Sequence, residues 1–341
     1  MARVFVTGGL GFIGSHLVDE LVERGHEVFV CDKKNLDKIP YKNEKAQYEH
    51  SICLSPWHHL RCHLTDIKDF DRGIRLAILH IEPEYIFHAA ALARIPASLQ
   101  DPYETYNTNV LGTLNILEAA RQYGKVKKII YSASSSAYGN HARMFLSEDM
   151  EPQPLNPYAD SKLMGEMLVK RYAHLGVPGV SLRYFNVYGP RQLNDPDYAY
   201  TTVIGKFLEQ WGKGLPFTIV PTGYQRRDFT YVSDVVRANI LAMESNSVGM
   251  GEVVNIGTGK NYSIWGVAKI IGGEGFSWVY ADSREGETQE TLADISKAKQ
   301  LLDWEPKISF EEGIEIRSFP NVLGHSCSKI RVYEMEKYFV G

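Results

Sequence analysis

Three glycines, Gly8-x-x-Gly11-x-x-Gly14, stand between two patterned segments and restrict the fold more than any other feature of this chain. Before them, Arg3 to Thr7 is a short β-branched run. After them, Phe12, Ile13, Leu17, Val18, Leu21 and Val22 recur at helical spacing. Gly25 ends that predicted helix, and Glu27-Val28-Phe29-Val30-Cys31 reads as a second buried strand. Strand, tight turn, helix and strand in succession form the repeating unit of a parallel sheet.

The alternation continues. Buried strands are predicted at Tyr85–His88, Lys128–Ser132, Val180–Tyr184 and Val253–Ile256, with helices at Thr105–Tyr123 and Tyr158–His174. The fold class is therefore α/β, a doubly wound parallel sheet of the Rossmann kind with a smaller C-terminal substrate-binding lobe. Residues 1–185 are expected to form the dinucleotide-binding domain, with later contributions near 228–260. Residues 186–341 are expected to form mainly the substrate lobe, because loops rich in Pro, Gly, Tyr and Arg begin after Tyr184. No internal repeat or low-complexity tract interrupts this plan.

Composition narrows the partners. A net charge of −4 provides no basic field for nucleic acid or an anionic membrane, so an anionic ligand needs a local cluster of cations. The apolar N-terminus reaches its glycine turn too soon for a secretory leader, and no run approaches the length of a membrane span. Cys31, Cys53, Cys62 and Cys327 have no framework spacing and read as free thiols in a reducing cytoplasm. Cys53, His58, His59, Cys62 and His63 crowd one segment after the second strand, yet their spacing matches no common zinc finger. We read that segment as an inserted surface loop with Trp57 packed against the body, and expect no metal.

A glycine turn that opens a helix lets a pyrophosphate approach the helix amides, where the dipole favours negative charge. Asp32, about twenty residues on, closes the second strand where a carboxylate can bind ribose hydroxyls. The same carboxylate repels a 2′-phosphate, which favours NAD over NADP, although Lys33 and Lys34 follow directly.

Tyr158 and Lys162 lie one helical turn apart and face the same way. A free phenol is a poor base at neutral pH, and a neighbouring ammonium lowers its pKa. Tyr-x-x-x-Lys by itself arises in many helices. Here Ser134, Ser135 and Ser136 follow a predicted strand, which puts their hydroxyls at the carboxyl edge of the sheet where ligands bind. Ser134 and Tyr158 can then share the proton of one reacting hydroxyl.

With these motifs in order, the sequence resembles the extended short-chain dehydrogenase/reductase family, in particular its nucleotide-sugar 4-epimerases. The resemblance spans roughly residues 2–316 and rests on an ordered series. The series comprises Thr7-Gly8-Gly9-Leu10-Gly11-Phe12-Ile13-Gly14, Asp66-Ile67, His88-Ala89-Ala90-Ala91, Asn109-Val110-Leu111-Gly112-Thr113, the serine run, Tyr158-x-x-x-Lys162, Leu182-Arg183-Tyr184-Phe185-Asn186, Arg227-Asp228-Phe229 and Ala293-Asp294.

The resemblance implies tightly held NAD, contacted by Gly8, Gly11, Phe12, Ile13, Gly14 and Asp32. Asp66 and Ile67 would line the adenine pocket, Ala89 and Ala90 the nicotinamide side, and Asn109 would orient the cofactor. Ser134, Tyr158 and Lys162 would form the catalytic set. Ser135, Ser136, Asn186, Arg227, Arg284 and Thr291 would meet the substrate, the two arginines at a diphosphate. Relatives that dehydrate carry Asp-Glu where this chain has Ser135 and Ser136, and uronate decarboxylases carry Glu at the second position. The hydroxyls here favour epimerisation. Asn186 replaces the Thr usual in relatives acting on UDP-glucuronate. Thr291 stands where a larger Tyr excludes N-acetyl groups, so UDP-glucose and UDP-N-acetylglucosamine are both expected substrates. The resemblance also implies a homodimer through the helices around Thr105–Tyr123 and Tyr158–His174. The tail 318–341 lies outside it. A non-catalytic NAD-binding regulator with the same fold is the competing reading.

Overall fold

The computed structural model describes residues 1–32, 47–49, 52–54, 60–64, 67–68, 70–141, 145–192, 202–282 and 288–316. Asp66, Arg284, His58, His59 and the tail 318–341, all singled out by sequence, lie outside the described residues.

Seven strands form one sheet: β1 (Arg3–Thr7), β2 (Glu27–Asp32), β3 (Leu60–Leu64), β4 (Tyr85–His88), β5 (Lys128–Ser134), β6 (Gly179–Tyr184) and β7 (Met250–Ile256). Their spatial order is β7-β6-β5-β4-β1-β2-β3, and every pairing is parallel. The order reverses between β1 and β4, the switch point at which such sheets bind ligands beyond their carboxyl ends. The principal helices are α1 (Phe12–Glu23), α2 (Arg75–Ile81), α3 (Gly112–Tyr123), α4 (Pro157–Ala173), α5 (Val203–Gly212), α6 (Val232–Glu244) and α7 (Ile264–Gly272).

Strand alternation divides the core into two layers. Val4 and Val6 of β1 join α1 and α6 through Leu17, Leu21, Val235 and Ile240 on one face. Phe5, between them, joins Ile78, Ile116 and Val169 on the other. A third apolar cluster, including Tyr188, Phe207, Phe217, Phe229, Val267 and Phe310, is built almost wholly from residues beyond β6.

Two local differences from the sequence expectation are informative. Leu60–Leu64 is a strand, paired with β2 from Val28↔Leu60 to Asp32↔Leu64. The supposed surface loop therefore ends as the edge of the sheet. Leu60, Cys62 and Leu64 alternate with Arg61 and His63 at strand period, a signal masked by the crowd of potential metal ligands. The expected helix over Thr105–Tyr123 passes through a π-turn at Asn107–Leu111 before α3 begins. Asn109 sits in that turn and is buried, and single wide turns of this kind are frequent at functional sites.

Candidate active site

The turn after β1 is locked by backbone bonds, with the Gly8 amide on the Cys31 carbonyl at 2.7 Å and the Gly11 amide on the Gly8 carbonyl at 3.0 Å. Gly8 has φ +69°, and a Cβ there would lie 2.7 Å from the Ala90 amide nitrogen. The same turn therefore presses against Ala89 and Ala90 at the end of β4. Gly11 begins α1, and no side chain caps that helix. Its first amides thus face the site without a side-chain acceptor, as an anion cradle requires. Asp32 is buried at the end of β2 and accepts the Leu10 amide at 3.0 Å, which fixes its carboxylate beside the turn.

Buried His88 buttresses the turn from below. Thr113 donates its hydroxyl to the Asn109 carbonyl at 2.5 Å, so it accepts from His88 Nε2 at 2.9 Å. His88 Nδ1 is then the acceptor for the Thr7 hydroxyl at 2.7 Å. Burial, aided by the Lys162 charge, lowers the His88 pKa to about 3 and keeps the ring neutral.

Asn109 accepts the Leu92 amide at 2.8 Å and donates to the Leu92 carbonyl at 3.1 Å and to Ser161 Oγ at 2.9 Å. It joins the loop after β4 to α4. Ile67 is buried, and a Cβ on Gly112 would meet its side chain at 2.6 Å.

Asn156 starts α4, accepting the Ala159 amide at 2.9 Å, and Pro157 occupies the first turn, where no amide is missed. This sets the phase of Tyr158, half-buried in a cavity wall, and of Lys162, buried behind it. Lys162 Nζ donates to the Ser132 carbonyl at 2.8 Å. Burial lowers its pKa to about 8, against an opposing pull from Glu166, so the ammonium form still dominates at pH 7. Strand β5 runs two residues further than expected, making Ser134 its last residue. Ser134 Oγ accepts from the Ser136 amide at 3.2 Å and from the Ser136 hydroxyl at 2.8 Å.

The cavity, of about 480 Å³, lies between the sheet's carboxyl edge and the third apolar cluster. Its walls bring together Gly11, Phe12, Ile13, Ser134, Ser135, Ser136, Tyr158, Asn186, Arg227 and Thr291, all named from sequence. Gly8, Gly14, Asp32, Ile67, Ala89, Ala90, Asn109 and Lys162 are not among the lining residues. Asn186, at φ +26°, donates to the Asp228 carbonyl at 2.9 Å and to Thr291 Oγ1 at 3.2 Å. Thr291 also accepts the Asp228 amide at 3.2 Å, so its hydroxyl braces the wall.

The sequence reading missed three wall cations, Arg94, Arg191 and Lys206. No motif flags them; folding gathers them from three loops and helices. It also gave Asp228 no role. That carboxylate is fully buried and gathers the amides of Thr258, Gly259 and Ala293 at 2.8, 3.0 and 3.1 Å. Burial raises its pKa to about 6 against those bonds. It thereby ties the strand bearing Arg227 to the two loops beside it.

The model of the NAD dependent epimerase/dehydratase family matches residues 4–257. This chain belongs to that family. A UDP-glucose 4-epimerase of Thermotoga maritima, solved with UDP-glucose, is 36% identical with a TM-score of 0.81, over 92% of this chain and 97% of that one. A UDP-glucuronate 4-epimerase of Thermodesulfobacterium geofontis is 33% identical over 320 residues, 92% of this chain and 94% of its own length. A UDP-N-acetyl-alpha-D-glucosaminuronate decarboxylase of Bacillus cytotoxicus is 34% identical over 329 residues, 92% and 95% respectively. NAD is the cofactor of the family. The geometry here fits it: an uncapped helix start, a glycine turn without room for a Cβ at Gly8, and the Asp32 carboxylate beside that turn. Among the described residues no helix is long and apolar enough to cross a membrane, and no group of metal-ligating side chains assembles.

Proposed function

We propose that this enzyme inverts the C4 hydroxyl of a UDP-hexose, with Ser134, Tyr158 and Lys162 as its catalytic residues. One observation carries the choice of reaction: Ser135 and Ser136, hydroxyls and not carboxylates, line the cavity together with Ser134 and Tyr158. Elimination of water or loss of carbon dioxide needs a further acid/base group, and the hydroxyls of Ser135 and Ser136 cannot serve as one. Epimerisation needs one proton acceptor that later returns the proton.

NAD, when bound, supplies the reversible two-electron oxidation of the sugar carbon. Tyr158 takes the proton from the 4-hydroxyl, and the Lys162 ammonium one turn away stabilises the phenolate form that can do so. Ser134 holds the same hydroxyl. Gly8, Gly11, Phe12, Ile13, Gly14, Asp32, Ile67, Ala89, Ala90 and Asn109 form the cofactor side. Arg227, with Arg94 and Lys206, gives a net acidic protein the local positive field a diphosphate needs, while the charge of Arg191 is shared with Asp19. While the diphosphate stays anchored, the oxidised sugar can turn its other face to the cofactor, and Tyr158 returns its proton. Residues 186–341 serve mainly as the substrate lobe in this reading, and 1–185 with 228–260 as the NAD-binding part.

Thr291 lines the cavity with a smaller side chain than the Tyr that excludes N-acetyl groups in similar epimerases, which supports acceptance of both UDP-glucose and UDP-N-acetylglucosamine. Purified protein is expected to release NAD on denaturation. It is expected to equilibrate each of these sugars with its C4 epimer, read by proton NMR of the product. A 4-keto-6-deoxy sugar or a decarboxylated pentose as the product overturns the reading in favour of a lyase.

A cytoplasmic homodimer belongs to the same proposal. Leu99, Tyr103, Leu111, Met164 and Met167 are exposed, Tyr103 at 79% and Met167 at 63%, on α4 and the adjoining helical segments. Apolar side chains gathered in this way suit a paired-helix interface. Met167→Glu combined with Tyr103→Glu is expected to move the protein from dimer to monomer by light scattering.

A further inference from the structure

Behind the cavity lies an ion pair that neither lines its wall nor meets solvent. Glu166, one turn beyond Lys162 on α4, accepts Arg183 Nε at 2.9 Å and Nη2 at 2.7 Å. Both side chains are 3% exposed. Burial pushes the Glu166 carboxyl up and the guanidinium pulls it back, and two short parallel bonds are the geometry of an ionised pair. The Arg183 guanidinium lies 4.5 Å from the centre of the Tyr138 ring. Tyr138 ends the tight turn Ser135–Tyr138 that follows Ser134, and its hydroxyl donates to Asn255 Oδ1 on β7 at 2.7 Å. The catalytic helix, β6, the serine turn and β7 are thus joined through one stack.

A buried pair of this kind adds little to stability compared with apolar side chains of the same volume. Its position gives it another use. We propose that Glu166, Arg183 and Tyr138 form a positioning relay that sets the Ser134 turn against Tyr158 and supplies the buried negative charge facing the Lys162 ammonium. The proposal rests on the reading of Tyr158 and Lys162 as the catalytic pair.

The surroundings of Lys162 leave that charge to Glu166. From β5 come the Ser132 carbonyl and the Tyr131 ring, 5.0 Å from Nζ, and from β4 the neutral His88. From β6 comes Arg183, a cation. Beyond the serine turn, Glu148 bonds the Asn255 amide at 2.7 Å. On the outer side of α4, Asp160 accepts the Tyr106 hydroxyl at 2.8 Å. Glu166 is the anion that opposes the burial of Lys162. Glu166 lies one helical turn from Lys162 and two from Tyr158. Removing its charge while Arg183 remains therefore acts first on Lys162, which loses its proton at lower pH. The loss of that adjacent ammonium outweighs the weaker direct effect on the more distant phenol, and Tyr158 ionises at higher pH.

The test is a substrate-free titration of the NAD-loaded enzyme, following Tyr158 as the phenolate absorbance difference between each protein and its Tyr158→Phe counterpart. In Glu166→Gln the Tyr158 titration is expected to rise by about one pH unit, a tenfold change in phenolate fraction on the rising limb. Glu166→Asp, which keeps the charge, is expected to titrate close to the parent. Should Glu166→Gln fail to fold, the double variant Glu166→Gln/Arg183→Met removes the orphaned cation and is expected to keep part of the rise. A Tyr158 titration unmoved in the folded charge-neutral variant overturns the proposal. Because this readout needs no sugar, the parent enzyme's failure to turn over any UDP-hexose counts against the function and leaves the relay to be judged by the titration. Where turnover is measured, the alkaline decline of kcat in Glu166→Gln is expected to begin about one pH unit lower.

Discussion

Tyr158→Phe is expected to lower the turnover number for UDP-hexose epimerisation about a thousandfold while leaving the NAD content of the purified protein unchanged. A positioned general acid/base contributes on the order of 10²–10⁴ in rate. Tyr158 is the phenol that α4 presents to the cavity beside Ser134, with Lys162 one turn behind it. The substitution removes one oxygen from a half-buried side chain in a cavity wall, so the fold has little to lose. The cofactor side is built from the turn after β1, Asp32 and the loop after β4, and all of these remain. Single-turnover measurement separates the chemistry from product release: the bound sugar should stay unoxidised. A variant that retains a tenth or more of parental turnover would falsify the assignment of Tyr158 as the proton acceptor. The same measurement in Ser134→Ala is expected to show a smaller loss, because Ser134 orients the hydroxyl without holding its charge.

The sheet was legible because its buried strands are short apolar runs punctuated by glycine and by helical periodicity, from Arg3–Thr7 to Val180–Tyr184. The catalytic set was legible for a related reason. Tyr158 and Lys162 share one helix, and Ser134 ends the neighbouring strand, so local spacing already fixes most of their geometry. What sequence did not reveal is assembled from a distance. The wall cations Arg94, Arg191 and Lys206 belong to separate elements with no common motif. Asp228 acts through amides of 258, 259 and 293, which are near it only after folding. Edge strand β3 was hidden by its own composition, since cysteine and histidine direct attention to metal chemistry before strand alternation. The Glu166–Arg183 pair is similar: each residue looks like an ordinary surface charge until α4 and β6 bury both.

Gly14→Ala is expected to abolish stable NAD retention, and its reason is packing rather than backbone conformation. A Cβ at this position would lie 2.1 Å from the Gly8 carbonyl oxygen, 2.8 Å from the Gly8 carbonyl carbon and 2.9 Å from Gly9 Cα. All three are backbone atoms of a turn already held by the Gly8–Cys31 and Gly11–Gly8 hydrogen bonds, so no side chain can swing aside. Either α1 retreats or the turn opens. The retreat is resisted by Leu17, Val18, Leu21 and Val22, which anchor α1 in the core shared with α6. Overpacking of this kind costs about 1–3 kcal/mol. Either response moves the amides of Phe12 and Ile13 away from the place where a pyrophosphate must meet them. Purified Gly14→Ala is therefore expected to carry less than about a tenth of the parental NAD, by absorbance after denaturation, and to melt at lower temperature. Gly25→Ala is the informative contrast. Gly25 lies just past the other end of α1, at φ +79°, and nothing lies within 4 Å of the Cβ it lacks. That variant bears only left-handed backbone strain, about 1–2 kcal/mol, and should keep its NAD. Equal loss of cofactor in both variants would mean that stability alone governs retention and that the close approach of α1 to the Gly8 turn is not what builds the cradle.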